Sequence, residues 1–440
     1  MSVTILLVGL VVFAFFAGHL INKYASRYIS LSGAEYLLIG VLVGPQLPPR
    51  LLTADSLEIL APLVSLLLGL SGFLVGIQAT RQLARSKFNA VGFAIGAASI
   101  AGMTLILTTA LTTLIGPVGT PLLDRVLLEA GDFEIDVFAT KEQLQLALVL
   151  AAAASVTVSE RLTGWGVRAR SPAQRLLRAC SLQGQLLAII VVGVVLSFSH
   201  EPVSMQGFEI RDGVWLLVSL SLGLVFGLLF TLFIGHEQST NRIFLATVGT
   251  VTCCSGVGAA LGLSAMFLNL VSGVTVALIS THRATLHQEL ARLQQPIFVL
   301  FLLLTGALWA PLTEATAWLI PPIYIALRWL MRRFVPRIFT RDTISIDPQR
   351  IGNGLMGQGT LAVAVAVDYA LQREDQASLV MTTVIVGVLA FDLFSGGALR
   401  RLLLDAAIEC GNATSHLMPE PEEESEPQQL PTTEPHGGST

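Results

Sequence analysis

The chain has 440 residues, 53% of them hydrophobic and 13% charged, with a net charge of −4 and a mean hydropathy of +0.71. Soluble domains carry about 25% charged residues, so this profile excludes an ordinary soluble globular protein. It fits one whose helices face lipid, where charge is costly. The four cysteines (Cys180, Cys253, Cys254, Cys410) have neither metal-ligand nor disulfide spacing and read as small packing residues.

Crossing a hydrocarbon core of about 30 Å takes roughly 17–25 apolar residues. Thirteen stretches qualify, at about 3–21, 35–50, 57–79, 89–115, 143–161, 176–198, 213–234, 242–261, 263–281, 296–312, 315–334, 352–371 and 378–397. The first has no basic flank and no small-residue cleavage site, so it reads as a span and not as a leader. The second is short and ends in Gly44-Pro45. The fifth holds a small, hydroxylated run from Ala151 to Ser159 that includes Ser155 and Thr157. The sixth holds two neutral amides, Gln183 and Gln185, in Ser181-Leu182-Gln183-Gly184-Gln185-Leu186-Leu187-Ala188-Ile189-Ile190. At ~1.5 Å per residue, Gln185 lies about 14 Å from the inner end of its helix, near the midplane. The twelfth contains Gly352, Gly354, Gly357 and Gly359 around Gln358, which lies about 9 Å into its span. Each glycine costs a helix interior about 1 kcal/mol, so a break is expected there. In the fifth span, a break and close packing through small residues both fit.

Loop charge sets the orientation. With the N-terminus outside, 21 of the 26 basic residues fall on the inner side, a strong positive-inside bias. An odd number of spans then places the C-terminus in the cytoplasm. Residues 405–440 are rich in Pro, Glu, Ser, Thr and Gln and read as a disordered acidic cytoplasmic tail after a membrane domain over 1–404.

Enzyme readings are weak. Gly69-Leu70-Ser71-Gly72 matches the G-x-S-G pattern of intramembrane serine proteases. That chemistry needs a histidine base, and the only histidine well inside a span is His19. No HExxH, phosphate loop or metal cluster is present, so neither catalysis nor a cofactor is expected. Among the carboxylates, Glu35 sits at the inner entrance of the second span and Glu160 near the inner end of the fifth. Asp368 and Asp392 lie near span ends and read as interfacial residues, paired or solvated. Arg328, inside the eleventh span, reads as snorkelling to the inner surface or, alternatively, as a structural partner for a carbonyl or helix end.

Five stretches, in order, resemble the cation/proton antiporter superfamily, the sodium/hydrogen exchanger-like transmembrane domain. Glu35 to Pro45 is similar to its G-Y-L-L-A-G-I-L-L-G-P span, and Phe73 to Gln78 to F-L-V-G-L-E. Ser181 to Ile190 is similar to S-L-L-N-D-L-L-A-I-I. Leu261 to Ala265, with Gly273 after it, resembles L-G-L-S-P, and Pro296 to Phe301 with Gly306 resembles P-I-F-F-F-L-x-G. The resemblance covers about residues 5–400. It implies an all-α polytopic membrane protein with inverted repeats and two discontinuous crossing helices, the fifth and twelfth spans. It implies a secondary active transporter of the monovalent cation:proton antiporter type, working by alternating access in the cell membrane. The partners implied are the lipid bilayer and a second copy in a homodimer, with no nucleic acid.

The departures are as informative. Where the family carries an ion-binding aspartate this chain has Gln185, where it often carries a basic residue it has Gln358, and where it carries glutamate it has Gln78. Glutamine has no titratable group and one oxygen ligand, so it cannot shuttle a proton. The ion-path candidates are Gln185, Gln183, Gln358, Ser155, Thr157, Glu160 and Glu35. With the coupling site altered, a non-transporting scaffold or sensor that keeps the fold is the alternative reading.

Overall fold

The computed structural model describes residues 33–46, 52, 54–82, 87–114, 141–157, 172–200, 204–205, 208–209, 212–234, 239–280, 283–340 and 348–392. The expected first span, Glu160, the 116–140 loop and the tail lie outside them. Apart from one hairpin pairing Ser204–Met205 with Phe208–Glu209, the regular structure described is helical. The elements are α1 (Ala34–Val43), α2 (Ala54–Gln82), α3 (Lys87–Leu114), α4 (Lys141–Ser155), α5 (Pro172–Phe198), α6 (Asp212–Ile234), α7 (Thr240–Ala260), α8 (Ala265–Ile279) and α9 (Arg283–Leu308). After a short 3-10 turn at Thr316–Leu319 come α10 (Ile320–Thr340), α11 (Pro348–Gly354), α12 (Thr360–Ala370) and α13 (Glu374–Asp392). Six of these, α2, α3, α5, α6, α7 and α13, are long and apolar enough to cross a membrane.

Every expected span after the first coincides with described helix, whole or in part, but several boundaries differ. The second span is only 10 residues of helix, and it stops at Gly44 ahead of Pro45, because the residue before a proline is driven out of the helical region. The tenth starts at Arg283, well before the expected 296. Its extra turns are rich in good helix formers, and Leu286 and Leu290, one turn apart, are buried. The eleventh runs on to Thr340 with Arg328 and Arg332 buried along it. The twelfth is broken, with α11 and α12 separated by non-helical Met356 to Gly359. The fifth leaves the helix at Ser155, and Val156 and Thr157 continue as irregular chain.

The helices sort into two bundles by their neighbours. In one, α8 packs along α2 and α6, α7 packs on α2, and α9 packs on α1 and α2; in the other, α3, α4 and α5 pack together with α10, α11 and α12. The α2–α8 contact explains the G-x-S-G pattern. A Cβ on Gly72 would come within 2.1 Å of the Met266 carbonyl oxygen, and one on Gly273 within 2.4 Å of the Phe73 carbonyl oxygen. The glycines let two backbones touch, as small residues do between membrane helices. Ser71 spends its hydroxyl on the Leu67 carbonyl of its own helix at 2.8 Å.

Candidate functional site: the capped end of a half-helix

The last carbonyls of an α-helix have no partner within it, and away from water each must find one. At the end of α4 five consecutive carbonyls, from residue 153 to residue 157, receive side-chain donors from three other elements. Gln358 Nε2 donates to Ala153 at 3.1 Å. Arg332 donates to Ala154 at 3.1 Å and to Ser155 at 2.6 Å. Arg328 donates to Val156 at 2.9 Å. Ser181 donates to Thr157 at 2.9 Å, and Gln185 Nε2 reaches the same carbonyl at 3.4 Å. One turn earlier, the Ser155 hydroxyl donates to Ala152 at 2.7 Å and to Gly184 at 3.2 Å, tying α4 to α5.

The second break is held from the same side. Arg328 also donates to Met356 at 3.0 Å and to Gly357 at 3.4 Å, so one guanidinium spans both discontinuities. Its planar fork of donors suits this. Its face lies 4.7 Å from the centre of the Phe391 ring, a cation–π contact, and Asp392, next in sequence, is within coulombic range. The two arginines are 1% and 2% exposed. Of the two readings of Arg328, snorkelling is therefore corrected and the helix-end partner holds: its charge complements the negative ends of α4 and α11. Tyr324, Arg328 and Arg332 recur every fourth residue on one face of α10, and Tyr324 Oη receives Gln358 Nε2 at 2.5 Å.

Of the residues expected on the ion path, the structure brings together Gln185, Gln358, Ser155 and Thr157, and adds Ser181, Tyr324, Arg328 and Arg332. Gln185 stands thirteen residues from either end of α5 and is 6% exposed. Gln358 is fully buried, and because its nitrogen faces a carbonyl the amide orientation is fixed; among the described residues its Oε1 has no hydrogen-bond partner. The Arg328 Nε and Thr157 Oγ1 atoms are likewise buried without one among the described residues. Gln183 is not part of the group: two residues from Gln185 it projects from the opposite side of α5 and is half-buried. Gln78 is half-buried on α2, in the other bundle. Glu35 lies in the first turn of α1, buried, and accepts from the Gly33 amide at 3.2 Å. Gly33 in turn lies against Thr360 at the start of α12. Asp368 and Asp392, expected at the interface, are each 1% exposed.

A separate cavity of about 210 Å³ lies at the α12–α13 turn, lined by Glu142, Glu314, Asp375 and Gln376 among others. There Arg373 binds Asp375 at 3.1 Å, and Glu142 is 3.7 Å away. The hydrogen bond to the Asp375 carboxylate holds the Arg373 guanidinium above its ordinary pKa.

No protein-family model and no curated protein matches the chain. Solved structures do. The sodium proton antiporter MjNhaP1 from Methanocaldococcus jannaschii at pH 8 is 14% identical, with a TM-score of 0.56 over 94% of this chain and 99% of that one. An electron-microscopy structure of the same antiporter gives a TM-score of 0.52 at 14% identity, over 94% and 99% of the two chains. With its twelfth span broken and the end of α4 held at the same seam, the chain is a multi-pass membrane protein built on the sodium/proton antiporter fold.

Proposed function

We propose that this protein is a secondary active transporter of the monovalent cation:proton antiporter type, working by alternating access, with its coupling carboxylate moved away from the helix crossing. The observation that carries the reading is the broken twelfth span meeting the irregular end of α4 between α5 and α10 in an antiporter fold. Such breaks hold irregular backbone where a solute path needs it. At the crossing, Gln185 and Gln358 each spend their nitrogen on a carbonyl of the α4 end. Neither can carry a proton. Glu35 and Glu160 remain as coupling groups, and Glu35 has support from its place: its carboxylate binds Gly33, which abuts the N-terminal turn of α12. The outward N-terminus, the cytoplasmic C-terminus and a homodimer in the cell membrane belong to the same reading.

One observation favours the alternative of a non-transporting scaffold or sensor. Among the described residues, the donors at the α4 end are amides, a hydroxyl and two arginines, a set that makes a stable joint by itself. Uptake of labelled sodium, potassium or lithium by proteoliposomes under a pH gradient separates the two. Transport predicts gradient-dependent uptake of at least one cation, reduced tenfold or more by Glu35→Gln. No uptake of any of them, under either gradient direction, would leave the scaffold reading.

A further inference from the structure

The two bundles are tied by hydrogen bonds at the end where α5 and α12 finish, which the loop charges assign to the outside. The turn Leu261 to Ser264, between α7 and α8, is gripped at three of its four residues by the other bundle. His200, just past α5, donates from Nε2 to the Leu261 carbonyl at 2.8 Å while stacked on Trp215 with ring centres 4.0 Å apart. A carbonyl can only accept, so Nε2 carries the hydrogen. Gln372, just past α12, donates to the Leu263 carbonyl at 3.4 Å. Ser264 donates its hydroxyl to the Asp368 carboxylate of α12 and accepts from the Phe267 amide at 3.0 Å as the N-cap of α8. The amides of Ala265 and Met266, in the first turn of α8, lie on the side of that carboxylate. Gly262 stands at φ +64, and a Cβ there would lie 3.2 Å from His200 Nε2. Nearby, Trp309, just past α9, donates at 3.0 Å to Thr382 of α13, a helix whose Gly387 lies against Tyr324 of α10.

Ser264 has one proton to donate, and it donates it to Asp368. That donor, the nearby amides and the positive end of α8 favour the ionised carboxylate, while burial favours the neutral acid. Asp368 is buried, so without those donors its charge would have no compensation. Among the described residues, the titratable groups at this end include His200 just past α5, Tyr369 beside it on α12, bonded to Gln376, and Arg373 beyond, held by Asp375 and Glu142; the turn 261–264 and the start of α8 bring none.

We infer that Asp368 is a proton-binding site that operates the closure between the bundles on the outer side. Ionised, it clamps Ser264 and the start of α8 and holds the outer end shut. When a proton from the outer solution binds one of its oxygens, the carboxylate loses its charge and an acceptor site, Ser264 loses its partner, and the turn is freed. The inference rests on the alternating-access reading, adding a gate to it.

Hydrogen–deuterium exchange of residues 261–268 tests this with the full chain in lipid nanodiscs, corrected for the intrinsic pH dependence of exchange. Wild type should exchange at least fivefold faster at pH 5.5 than at pH 8. Asp368→Asn should be fast and equal at both. Ser264→Ala, with Asp368 intact, should be faster than wild type at pH 8. His200→Gln should keep the wild-type response. A flat wild type, a response that survives Asp368→Asn or is lost in His200→Gln, or one that follows sodium at fixed pH would each overturn the proposal. The assay reads no flux. Flat flux with a pH-responsive turn counts against transport alone, and flux with an unresponsive turn counts against the latch alone.

Discussion

A hydrogen bond made by a charged donor to a buried carbonyl contributes about 1.5–3 kcal/mol, and Arg332 makes two, to Ala154 and Ser155. Arg332→Ala leaves both carbonyls stranded and should lower stability by roughly 3 kcal/mol, read as a fall in the thermal midpoint in detergent. Arg328→Lys keeps the charge but not the fork that spans Val156, Met356 and Gly357, so its midpoint should lie between those of wild type and Arg328→Ala. Gln185→Asp sets a carboxylate against the Thr157 carbonyl; only the protonated acid can donate there, so this variant should be less stable at pH 8 than at pH 5. The amide itself was legible in the sequence: the S-L-Q-G-Q-L-L segment places Gln185 near the midplane, and it sits mid-helix. Its role was not legible, because which atom a glutamine offers depends on where the neighbouring helix stops. Arg328 was open between two roles, and Arg332 escaped altogether, for a different reason. Hydropathy reads charges in a span as interfacial, whereas the spacing Tyr324, Arg328, Arg332 on one face of α10 was the available signal.

At the scale of elements, four glycines in eight residues foretold the break between α11 and α12, since each weakens the helix on both sides of it. The end of α4 was less certain from sequence, because a run of alanine and serine suits both a tight helix and a stop. What decides it is the supply of donors from α5, α10 and the α11–α12 link, which no local window contains. The length of α9 was missed because an amphipathic extension carries charge and falls below any apolar threshold. Helix contact through glycine gives a direct check. Gly72→Val forces α2 away from the Met266 carbonyl and should cost about 1–3 kcal/mol, seen as a lower thermal midpoint with solute flux reduced in proportion to folded protein. The same substitution leaving the midpoint unchanged would mean that α2 and α8 are not in contact there.

For the molecule as a whole, composition and span order led to the antiporter fold, and the structural likeness at 14% identity bears that out. Within that fold stand two bundles, a broken twelfth span, and a joint in which arginines and amides answer the carbonyls at the end of α4. On this account the amide at Gln185 belongs to the joint, and the proton is carried elsewhere. Internal pH in proteoliposomes after a jump in sodium, potassium or lithium, measured for wild type beside Gln185→Asp, tests that most directly. The account predicts cation-driven proton flux in the wild type that does not depend on a carboxylate at that position. A silent wild type, with flux appearing only in Gln185→Asp, would contradict it.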